Sequence, residues 1–163
     1  MLFNSKLFGL LYELFYETTR THSNLRFKEI YLSEIPTFDL NILETNECKN
    51  LFSKINKLIK DKNVIENNFI KLLQAEFKNV KITNKLNTWY LLNHVEFVEE
   101  LKKQKFSLKL QQKNEWILYF SEELKKILPI VEQINHTDQE IDNIVYQLYN
   151  LTPEEIQIVE NAQ

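Results

Sequence analysis

A single glycine, Gly9, serves a chain of 163 residues, and three prolines are its only other specialised chain breakers. Tight hairpins, left-handed turns and phosphate-cradling loops consume glycine, because a residue without a Cβ enters positive φ at no steric cost. A chain so poor in it is not built from many short strands. Nor can it hold a P-loop, a nucleotide fingerprint or a nucleophile elbow, each of which needs several glycines. Helices must therefore dominate.

The 44% hydrophobic content is enough for one ordinary core. A formal net charge of −3 gives no global basic footprint, so any nucleic-acid contact must be local or shared with another domain. Cys48 is the only cysteine, which excludes an internal disulfide framework and a zinc site of several thiolates. It is expected to be a small, semi-buried hydrophobe in a reducing compartment. The opening "MLFNSKLFGLLYELFYE" carries no basic leader and contains Glu13 and Glu17. Neither export nor a membrane span is expected, and the expected location is cytoplasmic.

Apolar spacing sets the elements. Leu7, Leu10, Leu11, Leu14 and Phe15 recur at helical intervals between Asn4 and Thr18, with Phe8, Tyr12 and Tyr16 beside them, so the first helix is apolar nearly all round. "TTRTHSNLRFKEIYLSEIPTFDL" has no sustained helical period and reads as a polar loop leading to a short strand. From about Leu43 to Phe77 a three-four spacing predicts one long helix, or two broken near "KDKN". "NVKITNKLNTWYLLN" is rich in β-branched and aromatic residues and predicts a strand pair, or a strand with an aromatic plug, between Val80 and Leu92. A short helix is expected over His94–Lys103. Ile117, Phe120, Leu124, Ile127, Val131 and Ile134 then mark a second long helix, kinked at Pro129.

The tail "TDQEIDNIVYQLYNLTPEEIQIVE" reads as two helix starts and a corner. Thr137 with Glu140 spells a capping box, and so does Thr152 with Glu155, the latter with Pro153 at the first helical position. Asn150 stands where the corner must turn left-handed, a conformation that Asn tolerates better than most residues. The fold class is thus mainly α with a minor β part: two long antiparallel helices, a short strand region and a C-terminal helix-corner-helix.

Chemistry is sparse. His22, His94 and His136 have no second ligand at metal spacing, and the carboxylates lie in helical runs beside lysines, as solvated faces do. Asp61, Glu76 and Lys78 superficially match a nuclease carboxylate set, but on a helix rather than a hairpin. Lys81, Lys85, Trp89 and Tyr90 read as core aromatics among surface lysines. The segment from Thr18 to Lys28 concentrates hydroxyl, amide and guanidinium groups, which serve phosphate positioning and base-edge reading. A solvated polar loop is the plainer account of the same residues.

The tail, preceded by "KLNTWYLLNHVEFVEELKKQKFSLKLQQKNEWILYF", resembles the carboxy-terminal part of large DNA methyltransferases with a TaqI-like specificity domain, a family that includes type IIG restriction-modification enzymes and the methyltransferases of BREX phage-defence systems. The resemblance runs through Val145, Tyr146, Leu148, Tyr149, Leu151, Thr152, Glu154, Glu155, Ile156 and Val159, with Asn150 in place of the usual glycine. "NSKLFGLLYELF" followed by "TTRTHSNLRFKEIYLSEIP" looks like the end of a target-recognition region, so the resemblance spans essentially the whole chain. The family's Asn-Pro-Pro-Tyr motif and cofactor loop do not occur here.

The resemblance implies that residues 1–42 end a target-recognition region and that 43–163 form the helical remainder of the specificity domain, one structural unit overall. It implies a non-catalytic DNA-recognition and clamp fragment, with double-stranded DNA and a methyltransferase domain or subunit as partners. S-adenosylmethionine would belong to that other domain, and this chain would hold no cofactor or metal. By the same resemblance, Arg20 and Arg26 contact bases or phosphates, Thr19, Thr21, Ser23 and Asn24 support them, and Lys28 holds a phosphate. The first helix is then expected to find its cover in the rest of the enzyme. A rival expectation is a helical interaction module that docks onto a separately encoded methyltransferase or defence subunit.

Overall fold

The computed structural model describes residues 5–15, 20–21, 24–25 and 45–162. The fold is mainly α. Its elements are α1 (Lys6–Phe15), β1 (Arg20–Thr21), β2 (Asn24–Leu25), α2 (Asn46–Glu76), α3 (Asn84–Asn87), a 3-10 turn (Trp89–Leu91), α4 (His94–Lys103), α5 (Leu110–Leu148) and α6 (Pro153–Asn161). They form two compact units, residues 1–55 with 136–163, and residues 56–135. The division falls inside α2 and inside α5, so each long helix contributes to both.

The unit of residues 56–135 is organised around Phe69. Phe69 and Leu73 on α2 and Phe77 just past its end recur every fourth residue and are all buried, which makes one continuous apolar face. The Phe69 ring stacks on Trp89 at 4.0 Å and meets Phe97 and Phe120 edge-on at 5.7 and 5.9 Å. Phe77, eight residues on and just past the end of α2, meets Trp116, one turn earlier on α5, at 5.4 Å. The two helix segments therefore run antiparallel here, as the sequence predicts. α2 is unbroken through "KDKN", where the Lys62 to Glu66 ion pair at 3.0 Å spans one turn.

Between Val80 and Leu92 the expected strand pair is absent. Thr83 starts α3 instead, its hydroxyl accepting the Leu86 N–H at 3.2 Å. The reason is periodicity of burial. Leu86 and Trp89 are three residues apart and both fully buried, which a helical turn allows and an extended strand, sending them to opposite faces, does not. The backbone of Lys81, ahead of α3, is satisfied by a side chain: its N–H donates to Gln104 Oε1 at 2.8 Å and its carbonyl accepts from Gln104 Nε2 at 3.0 Å.

α4 occupies the expected residues. Asn93 caps it by accepting from the Val95 and Glu96 amides, and the Glu96 carboxylate accepts the Asn93 N–H in return.

The expected helix start at Thr137 is a correction. α5 runs unbroken from Leu110 to Leu148, with Thr137 fully buried in its interior and Pro129 carried inside it. The motif lost to its surroundings: Ile127, Ile141 and Val145 are all buried, and a break at Thr137 would interrupt the face that buries them. The second start is as the sequence predicts. Thr152 accepts the Glu155 N–H, Glu155 accepts the Thr152 N–H at 2.8 Å, and Pro153 opens α6.

In the other unit, Leu7 of α1 is buried with Val145 and Tyr146 of α5 and Val159 of α6, and Leu10, Leu11, Tyr149 and Ile156 pack around them. Leu7, Leu10 and Leu11 of the first helix thus find cover within their own chain, from the last two helices. Cys48 is buried near the start of α2, where its amide donates to Thr45 Oγ1 at 3.4 Å.

Candidate nucleic-acid interface

Of the residues expected to meet DNA, Arg20, Thr21 and Asn24 have described backbones. β1 and β2 pair antiparallel, with Arg20 opposite Leu25 and Thr21 opposite Asn24. This ladder fixes the backbone spacing of one candidate guanidinium position and two candidate hydrogen-bonding positions. Thr19, Ser23, Arg26 and Lys28 lie outside the described residues, as does His22.

The cations that are described have carboxylate partners in several cases, which removes them as free phosphate contacts. Lys54 meets Glu140, Lys62 meets Glu66, Lys103 meets Glu100, Lys125 meets Glu122 and Lys126 meets Glu123, all within 3.2 Å. The hydrogen bond and charge of Glu100 raise the Lys103 ammonium, and the same contact holds Glu100 below the ordinary carboxylate range against its burial.

A polar cluster that sequence reasoning missed ties α1 to the end of the chain. The Lys6 backbone N–H donates to Asp142 Oδ1 at 2.9 Å, and the Lys6 ammonium reaches Glu160 Oε2 at 2.5 Å. The Tyr146 hydroxyl donates to the other oxygen of Glu160 at 2.8 Å. Glu160 is held low by Lys6 first and Tyr146 second, whereas Asp142 is pushed up by burial despite its bond to Lys6. Burial, with the Glu160 bond, also pushes the Tyr146 phenol up. Asp142 and Tyr146 stand one turn apart on α5, and nothing in that spacing signals their partners on α1 and α6.

A groove opens between α2 and α5 in the unit of residues 56–135, with a volume near 210 Å³, lined by Leu72, Glu76, Gln112, Glu115, Trp116 and Tyr119. Asp61 and Glu76 lie on one helix, fifteen residues and so about 22 Å apart along its axis, and form no nuclease triplet. His136 Nδ1 lies 3.6 Å from Glu140. Among the described residues no three His, Cys, Asp or Glu side chains converge as metal ligands, and no helix is long and apolar enough to cross a membrane.

No curated protein and no solved structure matches the chain. One family model does, described as a domain of unknown function (DUF8810), and it aligns with residues 41–145. The matched span takes in all of α2, α3 and α4 and most of α5, while the polar segment of residues 18–28 and the corner at Asn150 fall outside it. Because the match covers more than half of the sequence, the chain belongs to the DUF8810 family.

Proposed function

We propose that this chain is a DNA target-recognition and clamp element of an adenine-N6 DNA methyltransferase from a restriction-modification or phage-defence system, and that it is not catalytic by itself. The observation that carries this reading is the last corner. Asn150 holds φ at 51°, so the position where the methyltransferase tails have glycine is one that demands a left-handed residue. The Thr152 capping box begins two residues later. Both are backbone features of the corner through which the resemblance runs, and they support the reading.

On this reading the polar segment reads the duplex. Arg20 and Arg26 contact base edges or phosphates, Thr19, Thr21, Ser23 and Asn24 support them, and Lys28 holds a phosphate. S-adenosylmethionine and the flipped target adenine sit in a separate methyltransferase domain or subunit, and the setting is cytoplasmic. The test is titration of a fluorescently labelled duplex with the full chain and with Arg20→Ala. The variant is expected to bind about tenfold more weakly, the range of a good guanidinium contact. Equal affinity of the two proteins removes Arg20 from the interface, and absence of binding by either removes the reading.

The second reading is a helical module that docks onto a separately encoded methyltransferase or defence subunit. The groove between α2 and α5 favours it, because an apolar floor flanked by carboxylates suits a protein partner better than a phosphate backbone.

A further inference from the structure

The groove of the unit of residues 56–135 combines three things that seldom coincide on a solvated helix face. Its floor is aromatic, with Trp116 and Tyr119 set at 88° and 5.8 Å. Leu72 at its side is 43% exposed, an apolar surface left open. Its rim carries Glu76 from α2 and Glu115 from α5, and neither makes an ion pair among the described residues, although Glu66, Glu100, Glu122 and Glu123 each have a lysine. Glu115 does accept from Gln111 Nε2 at 3.0 Å, which leaves its second oxygen for another donor. The volume near 210 Å³ exceeds the roughly 150 Å³ that suffices for a benzene ring. It falls short of the about 300 Å³ and more of ordinary small-molecule sites. The space fits one large side chain.

We propose that this groove receives an arginine side chain of a protein partner. The aliphatic stem lies along Leu72, the guanidinium plane meets an aromatic face, and its forked donors reach carboxylates on both sides. A lysine, as a compact point charge, satisfies one carboxylate and stacks poorly. The inference is independent of the DNA reading, since it uses residues between 72 and 119 and none of the polar segment. Failure of one leaves the other standing.

The test uses tryptophan emission of the full chain, since Trp116 borders the groove while Trp89 is fully buried. The probes are capped Ala-Leu-Arg-Leu-Ala peptide and its Gln and Lys counterparts. The arginine peptide should give a saturable emission change with a dissociation constant of about a millimolar. It should bind about tenfold tighter than the glutamine peptide, with lysine between them. The double variant Glu76→Gln and Glu115→Gln should lose about that tenfold, while the control pair Glu132→Gln and Glu154→Gln, an equal charge change at exposed positions away from the groove, should lose nothing. The emission spectrum and urea midpoint of each free protein report that it is folded. Equal responses to the arginine and glutamine peptides, no response to any peptide, or full affinity in the double variant would each overturn the proposal.

Discussion

At the corner between α5 and α6 one residue must hold φ at 51°, and Asn150 does so while the Leu151 amide donates to the Tyr146 carbonyl at 3.0 Å and the Asn150 amide to Gln147 at 3.1 Å. These are the two bonds that close a helix with a left-handed cap. Asn79 and Lys105 hold the same conformation after α2 and α4. The single glycine is used at none of these corners: Gly9 lies inside α1. Asn150→Ala is therefore expected to cost about 1 kcal/mol in urea unfolding, whereas Asn150→Gly should cost nothing; equal loss from both substitutions would show that the side chain, not the backbone, matters there. Asp142 gives a pH prediction. Burial raises its folded pKa, so ionisation opposes folding, and the group's favourable contribution is complete at pH below its unfolded value and lost as pH rises through the folded value. Asp142→Asn keeps an acceptor for the Lys6 amide and cannot ionise. The variant should be the more stable protein at pH 7, with the advantage vanishing at pH below about 4. A constant difference across that range would contradict the assignment.

At the scale of elements, helical spacing told most. α4 occupies its expected residues, and the apolar stripes of α2 and α5 lie where their periods place them, because amphipathic periodicity is written locally and burial acts on it directly. Capping motifs were less reliable, and the difference is physical. Thr152 follows a left-handed residue and precedes Pro153, so three backbone constraints agree. Thr137 had only Glu140 to support it, and it is fully buried in a continuous helix. The β-branched run near Val80 failed because burial there steps by three, from Leu86 to Trp89, and the free backbone of Lys81 is met by the Gln104 side chain, twenty-three residues away. Continuity through Thr137 can be tested at Asp138. Proline is favoured one position after a cap but removes a bond and clashes inside a helix. Asp138→Pro should cost about 3 kcal/mol or more in chemical unfolding; a tolerated proline would restore the helix start that the sequence alone predicts.

On the scale of the whole molecule, the two units differ in what holds them. The unit of residues 56–135 is an aromatic core around Phe69, Trp89, Phe97 and Phe120. The other closes its two ends on each other, Leu7 of α1 against Val145 and Val159, with the Lys6 ammonium on Glu160 outside. That closure was not legible in the sequence, because it pairs residues more than 130 positions apart. The net charge of −3 makes DNA binding by the chain a demanding claim, since phosphate contacts must be concentrated in a short segment. The most direct measurement is the salt dependence of duplex binding by the full chain, compared with the triple variant Arg20→Ala, Arg26→Ala and Lys28→Ala. Three neutralised phosphates give a slope of log affinity against log salt near −2.7, and the variant should fall close to zero. A flat dependence in the unaltered protein, or a steep one that survives the triple substitution, would contradict the account.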